Sequence, residues 1–167
     1  EFSSLSSAEP WVQSHCHLLE NRVRKNARHL RKRMARQAID SYRLYDWDIP
    51  EVRARVDRYG ENLVVSEYER AQTQGVENYL AHLGAAAAAG AGVHPQNVHL
   101  KSRRTKPGVR YERQGQSGER FSVQEGDLKF WVNLKDYLDT GLFFDHRKTR
   151  AWLQSEAEGK SCLNLYA

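Results

Sequence analysis

The spacing of apolar residues switches twice along this chain, from helical to alternating and back, and few architectures accommodate that order. From His17 to about Ile39, Leu18, Leu19, Val23, Ala27, Leu30, Met34 and Ala38 recur three and four residues apart, which predicts an amphipathic helix within residues 17–40. Between Tyr42 and Tyr59 the period shortens to two. Tyr42 and Leu44 alternate with Arg43 and Tyr45, and Val52, Ala54 and Val56 alternate with Arg53, Arg55 and Asp57. That pattern predicts two strands joined across Asp48-Ile49-Pro50-Glu51. Gly60-Glu61-Asn62 is turn chemistry before a third strand, Leu63 to Tyr68, so an antiparallel meander is expected. Helical spacing returns at Val76, Tyr79, Leu80, Leu83 and Ala87. Strands are further expected at Val98–Ser102 and in a hairpin around Glu125-Gly126-Asp127, then a helix from about Asp145 to Ala157 and an apolar strand at Ser161–Tyr166. The fold class is α+β: a small antiparallel sheet domain with one packed helix at 41–134, a basic helix before it, and from residue 135 the first helix and strand of an α/β domain. The Ser-rich residues 1–16, with Pro10, read as a linker or tag.

Charge is concentrated in one place. Arg22, Arg24, Lys25, Arg28, Arg31, Lys32, Arg33 and Arg36 follow one another without an acid, and these eight cations exceed the whole net charge of +5. The rest of the chain is therefore acidic on balance, and the predicted first helix carries a cationic face suited to an anionic partner. A second basic stretch, the Gly-containing loop from Arg103 to Glu119, includes Pro107-Gly108. No run of about 18 apolar residues is present, which excludes a transmembrane helix. The start lacks Met, a basic segment and an apolar segment, so it is not a signal peptide and reads as an internal cut or junction. Cys16 and Cys162 are expected as reduced thiols of a cytoplasmic protein.

Most motif-like clusters have a plainer explanation. Gly84, Gly90 and Gly92 close an Ala-rich helix and do not follow a strand, as a nucleotide-binding loop requires. His15-Cys16-His17 lacks a second ligand pair at zinc spacing. The segment Tyr137 to Arg150 is sharper, an aromatic turn with Gly141 that leads into a helix. Core packing by Leu142, Phe143 and Phe144, with Asp145 as a helix cap, is the simplest account of it.

Four stretches shift that balance: Tyr42-Arg43-Leu44-Tyr45-Asp46-x-Asp48-Ile49-Pro50-Glu51, Val56-Asp57-Arg58-Tyr59, Trp131-Val132-Asn133-Leu134, and Tyr137-Leu138-Asp139-Thr140-Gly141-Leu142-Phe143-Phe144-Asp145-His146-Arg147. Long and in order, they resemble the bifunctional 23S ribosomal RNA methyltransferase family, which modifies guanine at N7 in one half and at N2 in the other. The resemblance is to the N7 half and runs from about Leu19 to the last residue. It implies S-adenosylmethionine as cofactor, 23S rRNA as substrate and partner, and a Rossmann-like methyltransferase domain beginning at residue 135 and truncated here. It further implies that Tyr137, Thr140, Gly141, Phe144, Asp145 and Arg147 edge the cofactor pocket. In that family the strand matching Leu163–Tyr166 continues into the cofactor loop, so this fragment is expected to hold RNA without catalysing alone. Further expected partners are the upstream and downstream parts of the same polypeptide, and a second copy of the chain.

Charge and aromatic interleaving nominate the RNA contacts: Arg28, Arg31, Lys32 and Arg36 on the helix, and Lys101, Arg103, Arg104, Lys106, Arg110 and Tyr111 at the loop. Two rival readings stay open, a non-enzymatic RNA-binding or assembly module, and a helix that meets protein.

Overall fold

A computed structural model describes residues 8–103 and 113–163. The first helix, α1, spans Pro10–Arg36 and so begins seven residues before the apolar period had placed it. Its start is legible in hindsight: Pro10 occupies the first turn, where its missing N–H costs nothing. Val12, Cys16, Leu19 and Val23 then fall on one buried stripe. The segment expected as a linker through residue 16 is thus helical from Pro10, because that stripe has a partner to bury against. α1 ends at Arg36, and Ala38, with φ +51°, turns the chain into the sheet.

The strands β1 (Ser41–Asp46), β2 (Ala54–Tyr59), β3 (Asn62–Tyr68) and β4 (Val98–Arg103) form one sheet in the order β1-β2-β3-β4. The first two pairings are antiparallel, with a bulge between Arg43 and Tyr45. β4 instead pairs parallel to β3, Leu63 opposite Val98 through Tyr68 opposite Arg103. The expected purely antiparallel sheet is therefore mixed. The reason lies in the connection: α2 (Tyr79–Ala91) carries the chain back along the sheet, as a parallel pairing demands.

Two helices, not one, cover the first face of this sheet. α1 and α2 pack on each other and on the strands, burying Leu19, Val23, Leu44, Val56, Leu63, Val65 and Leu83 in one cluster. Close approach of the helices depends on Gly90, where a Cβ would stand 2.6 Å from the carbonyl oxygen of Glu20. Gly92 caps α2 with φ +65°. The second face receives a separate hairpin, β5 (Phe121–Glu125) and β6 (Leu128–Val132), around a two-residue turn whose Gly126 has φ +62°. Tyr59 and Val64 of the sheet meet Val123, Val132, Leu134 and Leu142 there in a second cluster.

A single 3₁₀ turn, Phe144–His146, leads into α3 (Arg147–Glu156), none of whose residues is buried. The apolar strand expected at Ser161–Tyr166 does not form over Ser161–Leu163, which are exposed and irregular, and its remainder lies outside the described residues. Among the described residues, no helix is long and apolar enough to cross a membrane.

Candidate functional site

Residues Asn133–Arg147 cross the second face of the sheet, and several ties hold them there. Asp136, 1% exposed, accepts from Asn133 Nδ2 at 2.8 Å, from Ser117 N at 2.7 Å and from Gly118 N at 2.8 Å. The Asn133 bond, helped by the Ser117 and Gly118 amides, keeps its carboxyl well below the usual carboxylate range despite burial. Thr140 Oγ1 shares a 2.8 Å hydrogen bond with the Tyr59 hydroxyl, and the Phe144 ring lies 5.3 Å from that of Tyr59. Burial pushes the Tyr59 phenol far above its ordinary range, so it serves as a neutral hydrogen-bonding group.

Lys101 and Arg103 belong to the same anchorage. Lys101 is 2% exposed and its ammonium donates to the carbonyls of Tyr137 and Lys135. Burial lowers its pKa, with the neighbouring Arg103 acting in the same direction. Arg103 reaches Asp139 at 2.9 Å and the Leu138 carbonyl at 3.3 Å. The sequence reading of Lys101 as an RNA contact is corrected here, because its charge is spent inside the protein. Arg103 is likewise committed to residues 138–139, though it keeps some exposure. Arg104, Lys106, Arg110 and Tyr111 lie outside the described residues.

The cofactor candidates divide in the same way. Tyr137, Thr140 and Gly141 line a 610 Å³ cleft beside Trp131 and Phe143. Thr140, Gly141, Phe144 and Asp145 line a second, of 240 Å³, between the segment and the strand residues Arg43, Arg55 and Asp57. Arg147 lines neither. Its guanidinium bonds Glu125 at 2.8 Å and the Ser41 carbonyl at 2.6 Å, a pin for α3 that engages its charge away from both clefts. Arg150 completes that pin with bonds of 2.9 and 2.7 Å to the two Glu125 oxygens. Glu125 carried no sequence signal as an anchor, since its partners lie more than twenty residues away.

On α1 the arrangement is open. Arg28, Arg31, Lys32 and Arg36 are exposed, and no carboxylate among the described residues pairs with them. Arg22 and Arg24, nearer the start, are instead neutralised by Asp48 and Glu20. The candidate metal cluster comes apart: His15 Nδ1 lies 2.9 Å from the Tyr79 hydroxyl, whereas Cys16 is buried in the core, which raises its thiol pKa to about 11.

A family model for S-adenosylmethionine-dependent methyltransferases matches residues 21–167. The chain belongs to that family. Among curated relatives, ribosomal RNA large subunit methyltransferase K/L of Alcanivorax borkumensis is 42% identical over 153 residues, 89% of this chain and 22% of the relative. Ribosomal RNA large subunit methyltransferase K of Neisseria meningitidis is 41% identical over 151 residues, 88% of this chain and 43% of its own length. The methyltransferase chain therefore spans less than half of these relatives. Two solved structures share its fold. One, described as a methyltransferase complexed with SAH, has TM-score 0.55 at 22% identity, covering 92% of this chain and 36% of the other. The second, described as a SAM-dependent methyltransferase from Streptococcus mutans, has TM-score 0.54 at 21% identity, covering 92% and 37%.

Proposed function

We propose that this chain is the RNA-holding part of a cytoplasmic S-adenosylmethionine-dependent methyltransferase acting on a guanine N7 of large-subunit 23S rRNA. The observation that carries the reading is the column of exposed cations on α1, unpaired among the described residues: Arg28, Arg31, Lys32 and Arg36. Four exposed cations on one helix suit a phosphate backbone, and identity above 40% to large-subunit rRNA methyltransferases supplies the class of RNA. In this reading residues 41–134 position RNA, and the methyltransferase domain starts at 135.

The residues of the Tyr137–Asp145 segment fit one wall of a nucleoside-type cofactor site. The Phe143 ring is exposed, and the Asp145 carboxylate stands largely in solvent with His146 at 3.8 Å. An aromatic face and an exposed carboxylate suit a purine ring and ribose hydroxyls. S-adenosylmethionine, when bound, supplies an electrophilic methyl group. Guanine N7 carries a free lone pair, so the protein's task is to unstack the base and align it rather than to remove a proton. A single wall does not enclose a cofactor, and methyl transfer by this chain alone is expected to be absent. Completion by the upstream and downstream parts of the polypeptide, or by a second copy, is part of the same proposal.

The test is a salt series of binding to a short single-stranded rRNA oligonucleotide. Four phosphate contacts give a slope of log K on log salt of about −3, at roughly −0.7 per contact. Replacing Arg28, Arg31, Lys32 and Arg36 together by Gln should remove most of that slope. A slope that the quadruple variant leaves unchanged would remove the helix from the interface.

A further inference from the structure

On the second face of the sheet, away from α1, lies a group of planar side chains that neither core contains. Trp47 follows β1 and Tyr68 ends β3. Their rings lean together above β2 at 5.8 Å and 20°. The Arg53 guanidinium stands 4.7 Å from the Trp47 ring centre and that of Arg55 5.1 Å from the Tyr68 ring. Trp47 is 42% exposed, yet its backbone is held at φ +56°, a left-handed conformation that L residues with side chains rarely adopt. The strain places a large ring at the surface without burying it, and such outliers gather at binding sites.

We infer that Trp47 and Tyr68 form a stacking platform for an unpaired base of the RNA substrate, with Arg53 meeting the adjacent phosphate. The inference rests on the proposed RNA-binding function and adds a second contact surface to α1. Arg55 links the platform to the 240 Å³ cleft, since it lies over Tyr68 and also lines the cleft with Thr140 and Asp145. A strand stacked on Trp47 would thus run toward the segment that edges the candidate cofactor site. Charge assigns the polar contact: Arg55 is engaged by Asp46 at 2.7 Å, whereas Arg53 is exposed and has no carboxylate partner among the described residues. The guanidinium groups of Arg53 and Arg55 lie over the stacked rings, and a base can join such a layer on an aromatic or a guanidinium plane, because every base presents a π face.

The experiment titrates the chain with a short single-stranded oligoribonucleotide and follows affinity, tryptophan emission and thermal midpoint. RNA should quench the emission, and Trp47→Phe should remove most of the quenching while retaining most of the affinity. Trp47→Gly should weaken binding about 5- to 150-fold, the range for loss of one stacked base. It should shift the thermal midpoint little, since glycine adopts the left-handed conformation without strain while the ring's contacts with Tyr68 and Arg53 are lost. The salt slope should stay unchanged, because no phosphate contact is lost. Unaltered affinity in Trp47→Gly, with the slope still flattened by the α1 variant, would overturn the platform and leave the RNA-binding reading standing. Loss of affinity that only tracks a lowered midpoint would also overturn it, as would capture of a protein ligand with no response to RNA. No RNA binding by the unaltered chain would overturn both.

Discussion

Glu125 shows how much one buried acid can hold. Its side chain is 7% exposed and takes bonds from Arg147 and Arg150, the guanidinium groups that, among the described residues, tie α3 by side-chain hydrogen bonds to the rest of the protein, since α3 has no buried residue. Burial alone would favour the protonated form, but the bonds from Arg150 and Arg147 outweigh it and hold the carboxyl below its ordinary range. A carboxylate lowered by folding contributes its stability fully above its unfolded pKa, about 4.3, and loses it as pH falls through the lower folded value. Acid titration should therefore release residues 144–156 below about pH 4, seen as faster amide exchange confined to that segment. Glu125→Gln should cost roughly 3 kcal/mol in denaturant unfolding, because two arginines lose their counter-charge. It should also abolish the acid step.

At the scale of elements, the contact between α1 and α2 is set by small side chains. α2 presents Gly84, Ala86, Ala87 and Gly90 as buried positions, and Gly90 lets the α1 backbone approach at Glu20 and Val23. Gly90→Ala would ordinarily strengthen a helix by about 1 kcal/mol. Here the new methyl meets a backbone oxygen at 2.6 Å, which cannot rotate away. Overpacking costs typically about 1–3 kcal/mol, so a net loss of stability of about 1 kcal/mol is expected in thermal unfolding. Gly84→Ala should be milder, because its nearest neighbour is the flexible end of Leu100. A stabilising Gly90→Ala would mean that the two helices are not in close contact.

At the scale of the whole molecule, exposed cations and exposed large apolar groups both stand out among the described residues. The cations of α1 lie along one side, whereas Trp131 and Trp152, 68% and 61% exposed, join Phe143 and Leu153 as large apolar groups standing in solvent. Exposed apolar area of this kind promotes association. Sedimentation velocity should show a weight-average mass that rises with concentration, and Trp152→Ser with Leu153→Ser should suppress it. A strictly monomeric chain at all concentrations would show instead that these side chains are tolerated singly.

The sequence by itself determined the local elements and the chemistry of one helix. Periods of 3.6 and 2.0 depend only on which residues a helix or strand can turn to one face, so β1, β2, β3, α2 and the β5–β6 hairpin were legible. The unbroken cationic run on α1 was legible for the same reason. Family membership was legible too, because the motifs from Tyr42 to Arg147 stand in order. Only the tertiary structure decided the partners. Whether β4 runs parallel, whether Lys101 faces solvent or two carbonyls, and where Arg147 spends its charge depend on residues far along the chain. A strand shows its own alternation but not its neighbour's direction, and a lysine has the same letter whether it is solvated or buried. The start of α1 was missed likewise: Val12 and Cys16 became a helical stripe only once α2 was there to cover them.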